Sequence, residues 1–214
     1  MYKRFAVKDT PTTVVLVVEN EGYEIACAYE NIVHLHDQWL KGYKDDYDCL
    51  THEFAHIVQT QWDGNYVPSY GEDTYMIERF ADYCRYVYAY KGGYYNDSAW
   101  ELQTCESENH YSSANRFWLW LDYTYSTDKV DIMARMARAI NSKKSAYKAE
   151  NWANNKSAWE KIFKGTGAAG KSLTKLWKEY CKSDFSMKLA TVYEYDEESE
   201  LIEKYDVRNV IKKR

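Results

Sequence analysis

The chain holds only two prolines in 214 residues, no Cys-x-x-Cys pair, no apolar run near 18 residues and no excess of positive charge. Each absence removes a class of protein. The longest apolar run, residues 14–18 (VVLVV), has the length of a strand, so no helical membrane span is expected. Lys+Arg 28 against Asp+Glu 33 gives a net charge of −5, which argues against nucleic acid or an anionic membrane as the main partner. Five cysteines, Cys27, Cys49, Cys84, Cys105 and Cys181, neither demand nor exclude disulfides. The opening Met1-Tyr2-Lys3-Arg4 leads into polar sequence rather than an apolar h-region, so it does not read as a signal peptide.

What is present is a folding composition. Hydrophobic residues make up 45% and charged residues 29%, outside the range of disordered chains. A chain of this length buries roughly 70% of its unfolded surface and needs no staple to fold. With 22 Tyr and 8 Trp beside so little proline, a helix-rich core with polar-tipped aromatics at its edges is expected.

Residues 12–19 (TTVVLVVE) are dense in β-branched side chains and read as a buried strand. Residues 23–29 and 31–39 read as two more strands, split by a turn at Glu30-Asn31, with Ile32, His34 and His36 on one face. A polar loop at 41–47 supplies N-caps for a helix running through Trp62. After a loop at 63–73, helical periodicity resumes at 74–89 and stops at Gly92-Gly93. Helices are expected at 112–123, 129–140, 157–163 and 172–182, with a flexible connector at 165–170 (GTGAAG). The fold class is therefore α+β and mostly helical, one domain over residues 1–185. Residues 186–214 change character and form a C-terminal extension, either a hairpin or a tail.

The strongest chemical signal is His52-Glu53-Phe54-Ala55-His56, an H-E-x-x-H motif within a helical pattern. Residues four apart on a helix differ by about 40° in azimuth, one turn up, so both imidazoles can reach a single metal ion. Glu53 sits beside that ion and can take a proton from its bound water. Leu50, Phe54, Ile57, Val58 and Gln61 fall on the opposite side, leaving an apolar face to bury.

A third ligand is required. The extended H-E-x-x-H-x-x-G-x-x-H pattern would need Gly and His at 59 and 62, where the chain has Gln59 and Trp62. The next helix offers Glu78 and Asp82, again one turn apart, with Met76, Phe80, Tyr83 and Val87 on its far side. Glu78 is expected on the metal and Asp82 behind it, accepting the free ring N–H of His52. The bland alternative makes both solvated acids, one of them paired with Arg85 at i+3.

His-Glu-Phe-Ala-His-Ile-Val-Gln followed by Ile-Glu-Arg-Phe-Ala-Asp-Tyr-Cys-Arg resembles the basic secretory protein family of plants and its bacterial and fungal relatives. That family's pattern is HE-x-x-H-x-x-Q, then I-E-x-x-A-D-Y/F-x-R. Residues 111–121 (YSSANRFWLWL) and 170–180 (GKSLTKLWKEY) are similar to later segments of the family, and 25–40 to its strand pair. The resemblance extends over about three quarters of the chain. It implies a secreted, zincin-like and gluzincin-like zinc metallopeptidase whose leader is not in this chain. His52, His56 and Glu78 would be the Zn2+ ligands and Glu53 the catalytic acid/base. Residues 31–39 would form an edge strand along the cleft, able to pair with a peptide substrate by strand addition. Arg79-Phe80 stands where relatives usually carry small residues, which bears on the width of the cleft.

In the expected mechanism Glu53 accepts a proton as water attacks a peptide carbonyl, then delivers it to the leaving amine. The oxyanion needs one protein donor. Tyr111 leads because a phenol stays protonated at pH 7 and the resemblance falls on it; His110 and Arg116 are the other candidates. Two rival functions remain: a binding module that keeps the zinc fold without turnover, and a zinc amidase acting on cell-wall or glycopeptide amides. Lesser candidates are a second metal at His34 and His36, against a lining role, and a disulfide between Cys84 and Cys105. Cys49 reads as a small buried residue, and Trp118, Trp120 and Tyr123 as core rather than a sugar platform.

Overall fold

A computed structural model of the chain describes residues 1–6, 10–20, 25–44, 48–60, 72–89, 115–140, 156–183, 193–195 and 201–203. A short helix α1 (Tyr2–Phe5) leads into strands β1 (Val15–Glu19), β2 (Ala26–Tyr29) and β3 (Ile32–His36). The β2–β3 turn is two residues long, because Tyr29 faces Ile32 across the antiparallel ladder, and Glu30 turns the chain with a left-handed backbone, φ 53°. β1 then joins β3 on its other side in parallel, giving the order β1-β3-β2.

That order corrects two expectations. Ile32–His36 is the central strand, so it cannot be an edge along a cleft; among the described strands the edges are β1 and β2. The strand also ends at His36 rather than running to Trp39. The His36 ring accepts a hydrogen bond from the Gln38 backbone N–H at 3.1 Å and so caps helix α2 (Asp37–Gly42), which takes in the start of the expected polar loop.

β1 is a strand but not a buried one. Val15, Leu16 and Val18 are 45%, 47% and 56% exposed, while Val33 and Leu35 of β3 are fully buried. The reason is width: helix α3 (Asp48–Thr60) packs on β2 and β3, and β1 lies beyond it. The run VVLVV expresses strand propensity, and propensity does not say which strand of a sheet the helices cover.

Helix α4 (Glu72–Tyr88) runs antiparallel along α3, and the helices that follow close the core behind it: α5 (Asn115–Tyr125), α6 (Ile132–Ile140), α7 (Lys156–Phe163) and α8 (Leu173–Cys181). Residues 117–122 of α5 are buried on every side of the helix, as expected of a helix apolar all round. Trp118 and Trp120 belong to this core. Trp118 stacks on Trp159 at 5.8 Å and Phe117 meets Trp177 edge-on at 5.3 Å; such pairs add about 0.5–1.5 kcal/mol beyond the area they bury. The architecture is α+β and mostly helical. No helix among the described residues is long and apolar enough to cross a membrane.

Residues 165–170 form an ordered series of turns, not a flexible connector. Thr166, Ala169 and Lys171 donate backbone hydrogen bonds to Phe163, Thr166 and Ala168, and Ala168 is fully buried. Gly165, with φ 79°, ends α7 in a left-handed conformation that costs a glycine nothing. Near the C-terminus β4 (Tyr193–Tyr195) and β5 (Leu201–Glu203) pair antiparallel as a hairpin. Cys84 is a fully buried free thiol, so it is not half of a disulfide with Cys105; among the described cysteines Cys181 is disulfide-bonded. Buried Cys49 is likewise outside any disulfide.

Candidate metal centre

The site lies on the seam between α3 and α4, where side chains one turn apart on each helix meet as rungs. At the first rung Asp48, buried, accepts a hydrogen bond from Arg85 Nε at 2.7 Å. At the second His52 Nδ1 meets Asp82 Oδ1 at 2.9 Å. At the third His52 Nε2 and His56 Nε2 face Glu78 Oε2 at 3.0 and 3.6 Å, and the two imidazole nitrogens are 3.1 Å apart. Asp48, His52 and His56 follow the helix repeat of α3, and Arg85, Asp82 and Glu78 that of α4 read in reverse.

The rest of each helix supports this placement. Cys49, Ala55, Ile57 and Val58 are the buried apolar positions of α3, while Leu50 and Phe54, expected on the core face, are only half-buried. On α4, Phe80, Tyr83 and Val87 are fully buried. Phe80 packs edge-on against Phe5 at 5.0 Å, on the far side of the helix from the histidines, so its bulk does not narrow a cleft at Glu78. Arg85 Nε reaches Asp48 Oδ2 at 2.7 Å, and Arg79 Nη1 reaches Asp82 Oδ2 at 3.1 Å.

The three converging atoms are an electrostatic problem on their own. A carboxylate oxygen accepts, so His52 Nδ1 is the donor to Asp82. A neutral ring then points its Nε2 lone pair at the Glu78 carboxylate and at His56. Either a second proton or a cation must stand between them. Without a cation the proton wins: burial opposes charging His52, yet hydrogen bonds to Asp82 and Glu78 hold its pKa up at about 10. Glu78 answers in kind. Burial would raise its pKa, but hydrogen bonds from His52 and His56 hold it well below the usual carboxylate range. A four-coordinate zinc ion with bonds of about 2.0–2.1 Å separates its ligand atoms by roughly 3.3 Å, and the observed separations bracket that value. His52, His56 and Glu78 are the one group of three such side chains with converging ligand atoms among the described residues.

Glu53 is 8% exposed. Burial raises its pKa, against the pull of His56 and His52, which moves it toward the range a general base at neutral pH needs. His34 and His36 have other work. His34 Nδ1 pairs with Glu19 Oε1 at 2.6 Å, and His36 caps α2. Tyr111, His110 and the side chain of Arg116 lie outside the described residues. Sequence reasoning missed the Asp48–Arg85 rung, although its signal was present: Asp48 continues the four-residue repeat of His52 and His56.

Comparison of the chain with family models, with curated proteins and with solved structures finds no match.

Proposed function

We propose that this chain is a zinc-dependent peptidase of zincin-like build, with His52, His56 and Glu78 holding the ion and Glu53 moving the proton. The observation that carries the reading is the convergence of two imidazole nitrogens and one carboxylate oxygen within 3.0–3.6 Å. Asp82 supports it from behind His52, fixing the tautomer whose Nε2 is free to bind. The likeness of these residues to the basic secretory protein pattern points the same way.

Bound zinc supplies Lewis acidity, acidifying water to a pKa of about 7 and polarising a carbonyl. The chain's own residues do the rest. Glu53, raised by burial, accepts a proton from the attacking water and passes it to the leaving amine. Asp82 keeps the His52 ring from turning. β2, the edge strand on the α3 side of the sheet, offers its backbone to an extended peptide. The disulfide at Cys181 fits an oxidising compartment, hence a secreted protein.

The test joins metal content to turnover. The parent is expected to hold one zinc per chain and to cleave casein or an unstructured peptide. Glu53→Gln should keep the zinc and lose about 10²–10⁴ of the rate. Casein cleavage by Glu53→Gln at the parent's rate would remove Glu53 from the mechanism. A parent that holds zinc without cleaving peptides would favour a binding module instead.

A further inference from the structure

We propose that Arg79 is a positioning residue of the metal centre: it holds the Asp82 carboxylate in the one orientation that orients His52. The proposal rests on the zinc reading above. Asp82 divides its two oxygens, Oδ1 to His52 Nδ1 at 2.9 Å and Oδ2 to Arg79 Nη1 at 3.1 Å. A carboxylate held by donors on both oxygens cannot rotate about its Cβ–Cγ bond without breaking one of them, and charge-assisted bonds are the stronger kind. The Asp82 side chain is only 8% exposed, so water is a poor substitute for the guanidinium.

Two cations are spaced to take this role, Arg79 at i−3 and Arg85 at i+3. The neighbouring rung separates them. Arg85 directs its Nε at Asp48, whose side chain is completely buried, and that bond draws it one turn away from the histidines. Arg79 donates to Asp82 Oδ2, the oxygen that His52 does not use. Its effect on the metal is the one carried by that relay, from Arg79 through Asp82 to the His52 ring.

The experiment measures zinc affinity of the full chain by competition with a chromophoric chelator, alongside thermal unfolding of the metal-free proteins. Arg79→Met keeps the aliphatic stem and removes the charge. It should weaken zinc by about 3–10-fold, less than the ~10–100-fold typical of losing the histidine's direct partner, which is the loss expected for Asp82→Asn. Arg79→Lys should recover most of the affinity. In the Asp82→Asn background Arg79→Met should have no further effect, because the path is already cut. Zinc held by Arg79→Met as tightly as by the parent overturns the proposal, and so does a double variant whose loss is the product of the two single losses. A parent that takes up no zinc overturns the metal reading and this proposal together, whereas an unmoved Arg79→Met beside a zinc-binding parent overturns this proposal alone.

Discussion

Helix α4 carries a charged cluster on each of two faces, and the clusters are built on opposite rules. Behind it, the Arg4 guanidinium spends all five of its N–H donors. Nε donates to Asp131 Oδ2 at 2.6 Å, Nη1 to the Tyr83 and Tyr88 hydroxyls at 2.8 and 3.2 Å, and Nη2 to Asp122 and Asp131 at 2.8 Å each. Asp122, fully buried, also accepts from Tyr83 and Ser126 at 2.6 Å each. Every contact there pairs a donor with an acceptor. In front, His52 Nε2, His56 Nε2 and Glu78 Oε2 converge, and without a cation a second proton on His52 stands between them. The first cluster is structure; the second is, on the reading proposed above, a site for a cation. The difference is visible only as geometry, because both draw on ordinary Arg, Asp, Glu, Tyr and His.

Variants can separate the two most sharply through stability. Arg4→Met leaves Asp122 buried without its cation, and breaking such a pair costs about 3–5 kcal/mol. For a chain of this size that lowers Tm by roughly 6–20 °C, with or without zinc. The reverse holds in front. Glu78→Ala should abolish zinc uptake and hence turnover, while moving the metal-free Tm by far less, since Glu78 is 43% exposed at the side chain. Calorimetry with metal analysis on both variants checks the contrast, and equal metal-free Tm losses would erase it.

Acid–base behaviour sharpens the same point. His52 has its pKa raised from 6.5 to about 10 in the metal-free fold. Its stabilising contribution is therefore complete below pH 6.5 and lost as pH rises toward 10. Glu78, lowered, contributes above its ordinary value of 4.5 and loses that contribution as pH falls. Metal-free Tm should thus decline between pH 6.5 and 10, and His52→Gln should flatten the decline. Zinc affinity should run the other way, strengthening with pH, because the ring must shed its second proton to bind. Thermal scans and chelator competition at matched pH values test both slopes.

The front cluster was legible because a helix repeat is a statement about space: His52, His56, Glu78 and Asp82 were readable from spacing. The rear cluster was not. Arg4 meets Asp122 and Asp131 across 118 and 127 residues of chain, and no local period encodes a contact of that range. Apart from α1 and α2, which were not expected, the helices from α3 onward were readable from apolar periodicity, with shifted ends. Strand order was not, since three short runs of apolar residues do not say which lies in the middle; β3 turned out central and β1 exposed.

The smallest expected effect is at β1, remote from both clusters. Val18 is 56% exposed, on the edge strand that α3 does not cover. Val18→Lys therefore removes little buried apolar surface, and a lysine on an edge strand also discourages pairing with another chain. Its change in unfolding free energy should fall within about 0.5 kcal/mol, with zinc affinity unchanged. A denaturant titration reads it directly. A loss above roughly 2 kcal/mol would mean that another part of the molecule covers this strand in solution, since burial of a valine is worth about that much. The contrast between the two faces of α4 would then need a third region beside it.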